Sequence, residues 1–268
     1  MRKKLIIANW KMNLSVSRAS LLVHRLDERI REHRSVEVVL APPMLTLQPL
    51  SLQIDRRKFR LCAQNAHPED QGPLTGEVSF AMIDGIVHYA LVGHSDRRYK
   101  FGEDSAFIQK KVTAAVRNHI TPVLCVGETL QEKRDGETMQ VVHDQVNSAM
   151  ECLTAEEAAR MVIAYEPVWA LSSGHDYLHH ETPKPDDIKR VVAAIRRTVA
   201  EVYGPKAAGS IRVLYGGSSN ASTAHGLMST TDVDGLLVGG ASLNYAEFAN
   251  IVDAAYQVAH QETENIAG

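Results

Sequence analysis

A lysine, a histidine and a carboxylate stand at the ends of three separate apolar runs of this chain: Lys11 in Asn9-Trp10-Lys11-Met12-Asn13, His94 in Gly93-His94-Ser95, and Glu166 in Tyr165-Glu166-Pro167. These side-chain types are what proton transfer beside a carbonyl requires. A carboxylate can take a proton from carbon, an uncharged imidazole can polarise the carbonyl oxygen, and an ammonium group can offset the negative charge that develops. Taken singly, each also fits a structural role: Lys11 as a solvated loop lysine, His94 as a hydrogen-bonded strand-end histidine, Glu166 as a capping or ion-paired carboxylate. Convergence on one rim is what separates the two readings.

Two glycine pairs add a second function. Gly216-Gly217 lies in Tyr215-Gly216-Gly217-Ser218, and Gly239-Gly240 in Val238-Gly239-Gly240-Ala241-Ser242. Without a Cβ the backbone can approach a ligand closely and present N–H groups to it, so the pairs read as a phosphate cradle. Tight strand-to-helix turns are the structural alternative, equally weighted for Gly216 and weaker for Gly239-Gly240.

Such residues need a scaffold that brings five strand ends to one mouth. Short β-rich apolar runs at residues 5–9, 36–41, 59–63, 88–93, 121–126, 161–166, 211–215 and 234–238 alternate with amphipathic segments. These include Glu103 to Asn118, Thr138 to Leu153 and Asp186 to Tyr203, where Asp186-Asp187 favour a helix start through capping and the macrodipole. Continuous apolar strands imply burial on both faces, as in a parallel sheet with crossover helices. Eight such units over 268 residues predict an α/β fold, a single (β/α)₈ barrel domain over residues 1–268. An open doubly wound sheet is the alternative that alternation alone leaves standing. Gly136 and Pro205 read as loop punctuation. In a barrel, reacting groups gather at the C-terminal strand ends, with a phosphate site after strands seven and eight.

Composition narrows the function classes. A net charge of −3 argues against a nucleic-acid partner. The basic start Met1-Arg2-Lys3-Lys4-Leu5-Ile6-Ile7 meets Asn9 and Lys11 far short of a secretory or membrane-spanning length. A cytoplasmic location is the resulting expectation, and Cys62, Cys125 and Cys152, odd in number and widely spaced, predict buried reduced thiols and no zinc site. His175, His179 and His180 invite a metal reading, but no carboxylate or cysteine spacing accompanies them, and a solvated loop is the expectation.

The motifs NWKMN at 9–13, GHSDRR at 93–98, YEPVWA at 165–170, YGGS at 215–218 and VGGASL at 238–243, with LTGEVS at 74–79 and CVGE at 125–128, resemble those of the triosephosphate isomerase family, in order and over the whole chain. The resemblance implies interconversion of dihydroxyacetone phosphate and D-glyceraldehyde 3-phosphate in glycolysis and gluconeogenesis, through an enediolate and with no cofactor. It makes Glu166 the base, His94 the neutral electrophile and proton shuttle, Lys11 the positive charge and Asn9 a hydrogen-bond partner. That division of labour is the family's familiar one and is not read from spacing. Phosphate contacts would come from backbone at Ser172, Ser218, Gly239 and Gly240. Leu171 and Leu237 would wall the base, and Pro167 to about Tyr177 would form a lid that excludes water. A homodimer is implied too, with Thr75 of the 65–79 loop reaching toward Asn13 and Arg97 of a second copy.

Two departures stand out against the family pattern. The lid reads Leu171-Ser172-Ser173-Gly174, where a glycine-rich turn is usual, and HDYLHHETPKP at 175–185 lengthens it. Asp96 replaces a glutamate, which shortens the carboxylate beside Lys11 by one methylene and predicts weaker support there. The altered lid motivates two alternatives: a paralogue acting on a four-carbon ketose phosphate, and a catalytically impaired phosphate-binding barrel.

Overall fold

Strands that are apolar on both faces must be covered on both, and closing the sheet on itself inside a ring of helices achieves this. The computed structural model describes residues 2–32, 34–171 and 182–267. Its parallel strands are β1 (Lys4–Asn9), β2 (Val36–Ala41), β3 (Phe59–Ala63), β4 (Tyr89–Val92), β5 (Thr121–Val126), β6 (Val162–Tyr165), β7 (Arg212–Tyr215) and β8 (Gly235–Val238). They pair in chain order, and β1 joins β8 with Leu5 opposite Gly235, closing a (β/α)₈ barrel. The open-sheet alternative is thereby set aside. Strand bounds match the expected ones to within a residue, and the trimmed residues include Gly93 and Glu166, which leave the ladder to enter the site.

Around the barrel run α1 (Val16–Arg29), α2 (Met44–Gln53), α3 (Phe80–Ile83), α4 (Ser95–Lys100), α5 (Ser105–Arg117), α6 (Leu130–Arg134), α7 (Thr138–Met150), α8 (Ala155–Ala158), α9 (Pro185–Ser210), α10 (Ala221–Thr230) and α11 (Tyr245–Ala267). No helix among the described residues is long and apolar enough to cross a membrane.

The core has two layers because successive strand residues point to opposite faces. Ile6, Ala8, Val38, Leu40, Ile163 and Val213 pack outward against the helices. Leu5, Ile7, Val39, Leu91, Val123, Val162, Ala164, Leu214 and Leu237 fill the barrel interior.

Three expectations need correction. Pro205 does not mark a loop: Gly204 turns the chain at φ 82°, and helix resumes from Pro205 to Ser210, because proline suits a first helical turn. Asp186 and Asp187 lie in the first turn of α9, where their charge suits the macrodipole, but the cap position is Lys184 and no side chain caps it. Cys62 and Cys125 are buried free thiols, whereas Cys152, just beyond α7, is exposed.

Candidate active site

The inward alternation of the strands sets the site. Two residues beyond Ile7, Ala164, Leu214 and Leu237 come Asn9, Glu166, Gly216 and Gly239, and all four line one solvent-open cavity. Lys11, His94, Leu171, Gly217, Ser218, Ser219, Leu237, Gly240 and Ala241 complete its wall. The sequence-derived residues Asn9, Lys11, His94, Glu166, Ser218, Gly239 and Gly240 are therefore brought together, and Leu171 and Leu237 line the same cavity. Ser172, the lid beyond Leu171, and His175, His179 and His180 lie outside the described residues.

Glu166 is 3 % exposed, with Oε1 3.3 Å from His94 Nε2, while the Ser95 amide donates to Oε2 at 3.5 Å. His94 immediately precedes α4, and its Nδ1 accepts the Asp96 amide at 3.0 Å. With Nδ1 accepting, the neutral imidazole carries its proton on Nε2, the nitrogen that faces the cavity carboxylate. A ring nitrogen able to donate and a buried carboxylate thus sit side by side.

Lys11 holds a left-handed backbone conformation at φ 51°, a strain of about 1–3 kcal/mol for a residue with a Cβ. Two side chains fix it: the Lys11 amide donates to Asn9 Oδ1 at 3.0 Å, and Gln64 Nε2 donates to the Lys11 carbonyl at 2.8 Å and to that of Ala41. The Lys11 ammonium stands 3.2 Å from Asp96 Oδ2. The contact is therefore made despite the shorter side chain. Partial burial pushes the Asp96 carboxyl up, but hydrogen bonds and charge from Lys100 and Lys11 outweigh it and hold it at about 2.

The glycines divide by role. A Cβ on Gly216 would stand 2.7 Å from Glu166 Cγ, and one on Gly217 would run into the Tyr215 hydroxyl, so this pair makes room for neighbouring side chains. Open space faces Gly239 and Gly240, the latter opening a 3₁₀ turn to Leu243 in which the Ser242 amide donates to the Gly239 carbonyl and the amides before it begin the turn. That is the geometry of an anion cradle.

Sequence reasoning missed the supports. Glu128, 1 % exposed, accepts Trp169 Nε1 at 2.7 Å and the Tyr165 hydroxyl at 3.3 Å, tying the segment after Glu166 to the end of β5. Burial raises its carboxyl pKa against those donors. Arg98 donates to the Gly93 and Cys125 carbonyls at 2.7 and 3.0 Å, pinning the ends of β4 and β5 behind Glu166. CVGE ending in a buried carboxylate was the one available signal for Glu128.

Comparison with known proteins agrees with this geometry. The family model for triosephosphate isomerase matches residues 4–255. The triosephosphate isomerase of Clostridium perfringens (strain SM101 / Type A) is 39% identical over 254 residues, covering 94% of this chain and 100% of the relative. That of Clostridium tetani is 40% identical over 254 residues, with 94% and 97% covered. That of Thermoanaerobacter pseudethanolicus is 38% identical over 254 residues, with 94% and 100% covered.

Proposed function

The chain belongs to the triosephosphate isomerase family, and from that premise we propose that it interconverts dihydroxyacetone phosphate and D-glyceraldehyde 3-phosphate by proton transfer through an enediolate. The observation that carries this reading is the convergence of Lys11, His94 and Glu166 on one cavity beside the open glycine pair. Glu166 removes the proton from carbon next to the carbonyl and returns it to the neighbouring carbon. His94 donates from Nε2 to the substrate oxygens, lowering the cost of the charge that forms there. Lys11 offsets that charge. Asn9, with Oδ1 committed to the Lys11 amide, serves a substrate oxygen through Nδ2. Backbone amides at Ser218, Gly239 and Gly240, joined by Ser172 of the lid, hold the phosphate. A closed lid protects an enediolate phosphate that would lose phosphate in water. None of these steps calls for a metal or organic cofactor.

The family match disfavours the four-carbon substrate and the impaired barrel, and both are open to one experiment. Steady-state turnover of glyceraldehyde 3-phosphate is compared with that of a tetrulose phosphate. Preference for the triose supports the reading; preference for the tetrulose, or turnover of neither, overturns it.

We infer a homodimer from exposed apolar side chains in segments that follow four adjacent strands: Met12 at 95 %, Leu45 at 76 %, Met82 at 64 % and Phe101 at 66 % exposure. They follow β1, β2, β3 and β4 in turn and so share one arc of the rim, beside the exposed Thr75 loop. Sedimentation should report a dimer that Thr75→Arg dissociates with loss of turnover; a fully active monomer would contradict this. A single-domain enzyme acting in glycolysis and gluconeogenesis, in a cytoplasmic setting, without nucleic acid or membrane partners, completes the reading.

A further inference from the structure

Lys11 relies on a carboxylate that has only two side-chain torsions with which to reach it. Asp96 Oδ2 stands 3.2 Å from Lys11 Nζ and 3.5 Å from His94 Nδ1, and the Asp96 amide is the donor that fixes the His94 ring. Asp96 thus touches two of the three groups that carry the chemistry. Its other oxygen, Oδ1, lies 2.7 Å from Lys100 Nζ. Lys100 comes four residues later on α4, one helical turn along, so the helix itself brings the two side chains together.

The two lysines take different oxygens and do not compete. Holding Oδ1 fixes the plane of the carboxylate and with it the direction of Oδ2. Among the influences that lower the Asp96 carboxyl, after burial, which opposes them, the Lys100 hydrogen bond stands first and the Lys11 charge second. Lys100 itself is absent from the cavity wall, and its side chain is 47% exposed. An exposed pair of this spacing adds little to stability.

We propose that Lys100 is a positioning residue for the isomerisation, clamping Oδ1 of Asp96 so that Oδ2 holds the Lys11 ammonium at the cavity. This rests on the isomerase reading above. A longer carboxylate at the same place, with an extra torsion and an extra methylene, reaches Lys11 without the clamp. Dependence on Lys100 should therefore vanish when the carboxylate is lengthened.

The test is a double-mutant cycle on the full chain, read as kcat/KM for glyceraldehyde 3-phosphate with melting temperature alongside. Lys100→Met lowers kcat/KM by about five- to tenfold with at most a small fall in melting temperature, the order expected for one misaligned charged contact. Lys100→Arg restores it to within about twofold, because a cation again reaches Oδ1. In the Asp96→Glu background, Lys100→Met costs less than about twofold, as expected when the two sites are coupled. An indifferent Lys100→Met refutes the clamp, and so does failure of the arginine to rescue. An equal loss in both backgrounds refutes it too, since that would mark a simple field effect of the charge. Wild-type turnover in the same assay keeps the two ideas apart: a dead wild type sinks the isomerase reading, whereas an active wild type indifferent to Lys100 sinks only this inference.

Discussion

Replacing Gly216 with alanine tests whether the placement of Glu166, and not merely its presence, sets the rate. The new Cβ would lie 2.7 Å from Glu166 Cγ, about 0.7 Å inside the 3.4 Å at which ordinary contact begins. The clash falls on the middle of a side chain that is 3 % exposed and hemmed in by His94 and Ser95, so its far end cannot simply swing clear. Gly216 has no left-handed φ, so alanine costs the backbone little, and the carboxylate must move. A reacting group displaced by about 1 Å can lose on the order of 100-fold in rate, and scaling to the shift needed here gives roughly 30- to 100-fold in kcat. KM should change by less than about threefold, because remote phosphate binding is kept and only transition-state contacts are lost. The assay is steady-state isomerisation coupled to a dehydrogenase, with Gly226→Ala as control, since a Cβ there meets open space. A well-folded Gly216→Ala that keeps kcat within about threefold of wild type would refute the reasoning, because Glu166 would then tolerate displacement.

Two further perturbations probe the supports. The Asp96 carboxyl ionises at about 2 in the fold, below its ordinary value, so its ion pairs stabilise the protein above that ordinary value and fade as pH falls through about 2. Asp96→Asn should accordingly lose about 1–2 kcal/mol of unfolding free energy at pH 7, after allowance for solvent screening, and the gap to wild type should close as the pH drops; a gap independent of pH in denaturant melts contradicts this. Trp169→Phe removes a 2.7 Å hydrogen bond to the buried Glu128 and should cost about 1–3 kcal/mol in urea unfolding, and an unchanged midpoint would contradict this.

What the sequence disclosed, and what it hid, follows from how far each signal extends along the chain. The strands were legible because burial on both faces writes itself into consecutive residues, as in Val36 to Ala41. The site was legible where strand ends break an apolar run with a chemically specific residue, as Asn9 and Glu166 do. The supports were hidden because they depend on separation in space: Gln64 reaches the Lys11 carbonyl across 53 positions, and Trp169 reaches Glu128 across 41. The role of Gly216 was hidden for the same reason, since a tight turn and a space left for Glu166 look alike in sequence. Asp96 is a further case: its short side chain predicted weaker support at Lys11, while Lys100, which holds its other oxygen, lies one helical turn on and carries no motif of its own.

The central claim is that Glu166 carries the proton between adjacent carbons. The most direct measurement is isomerisation in D₂O followed by NMR, for wild type and for Glu166→Gln. Wild type should place deuterium on the carbon that receives the proton, and Glu166→Gln should lose turnover and isotope exchange together. Sustained turnover with deuterium incorporation in the Glu166→Gln enzyme would contradict the account, because another group would then have to be the base.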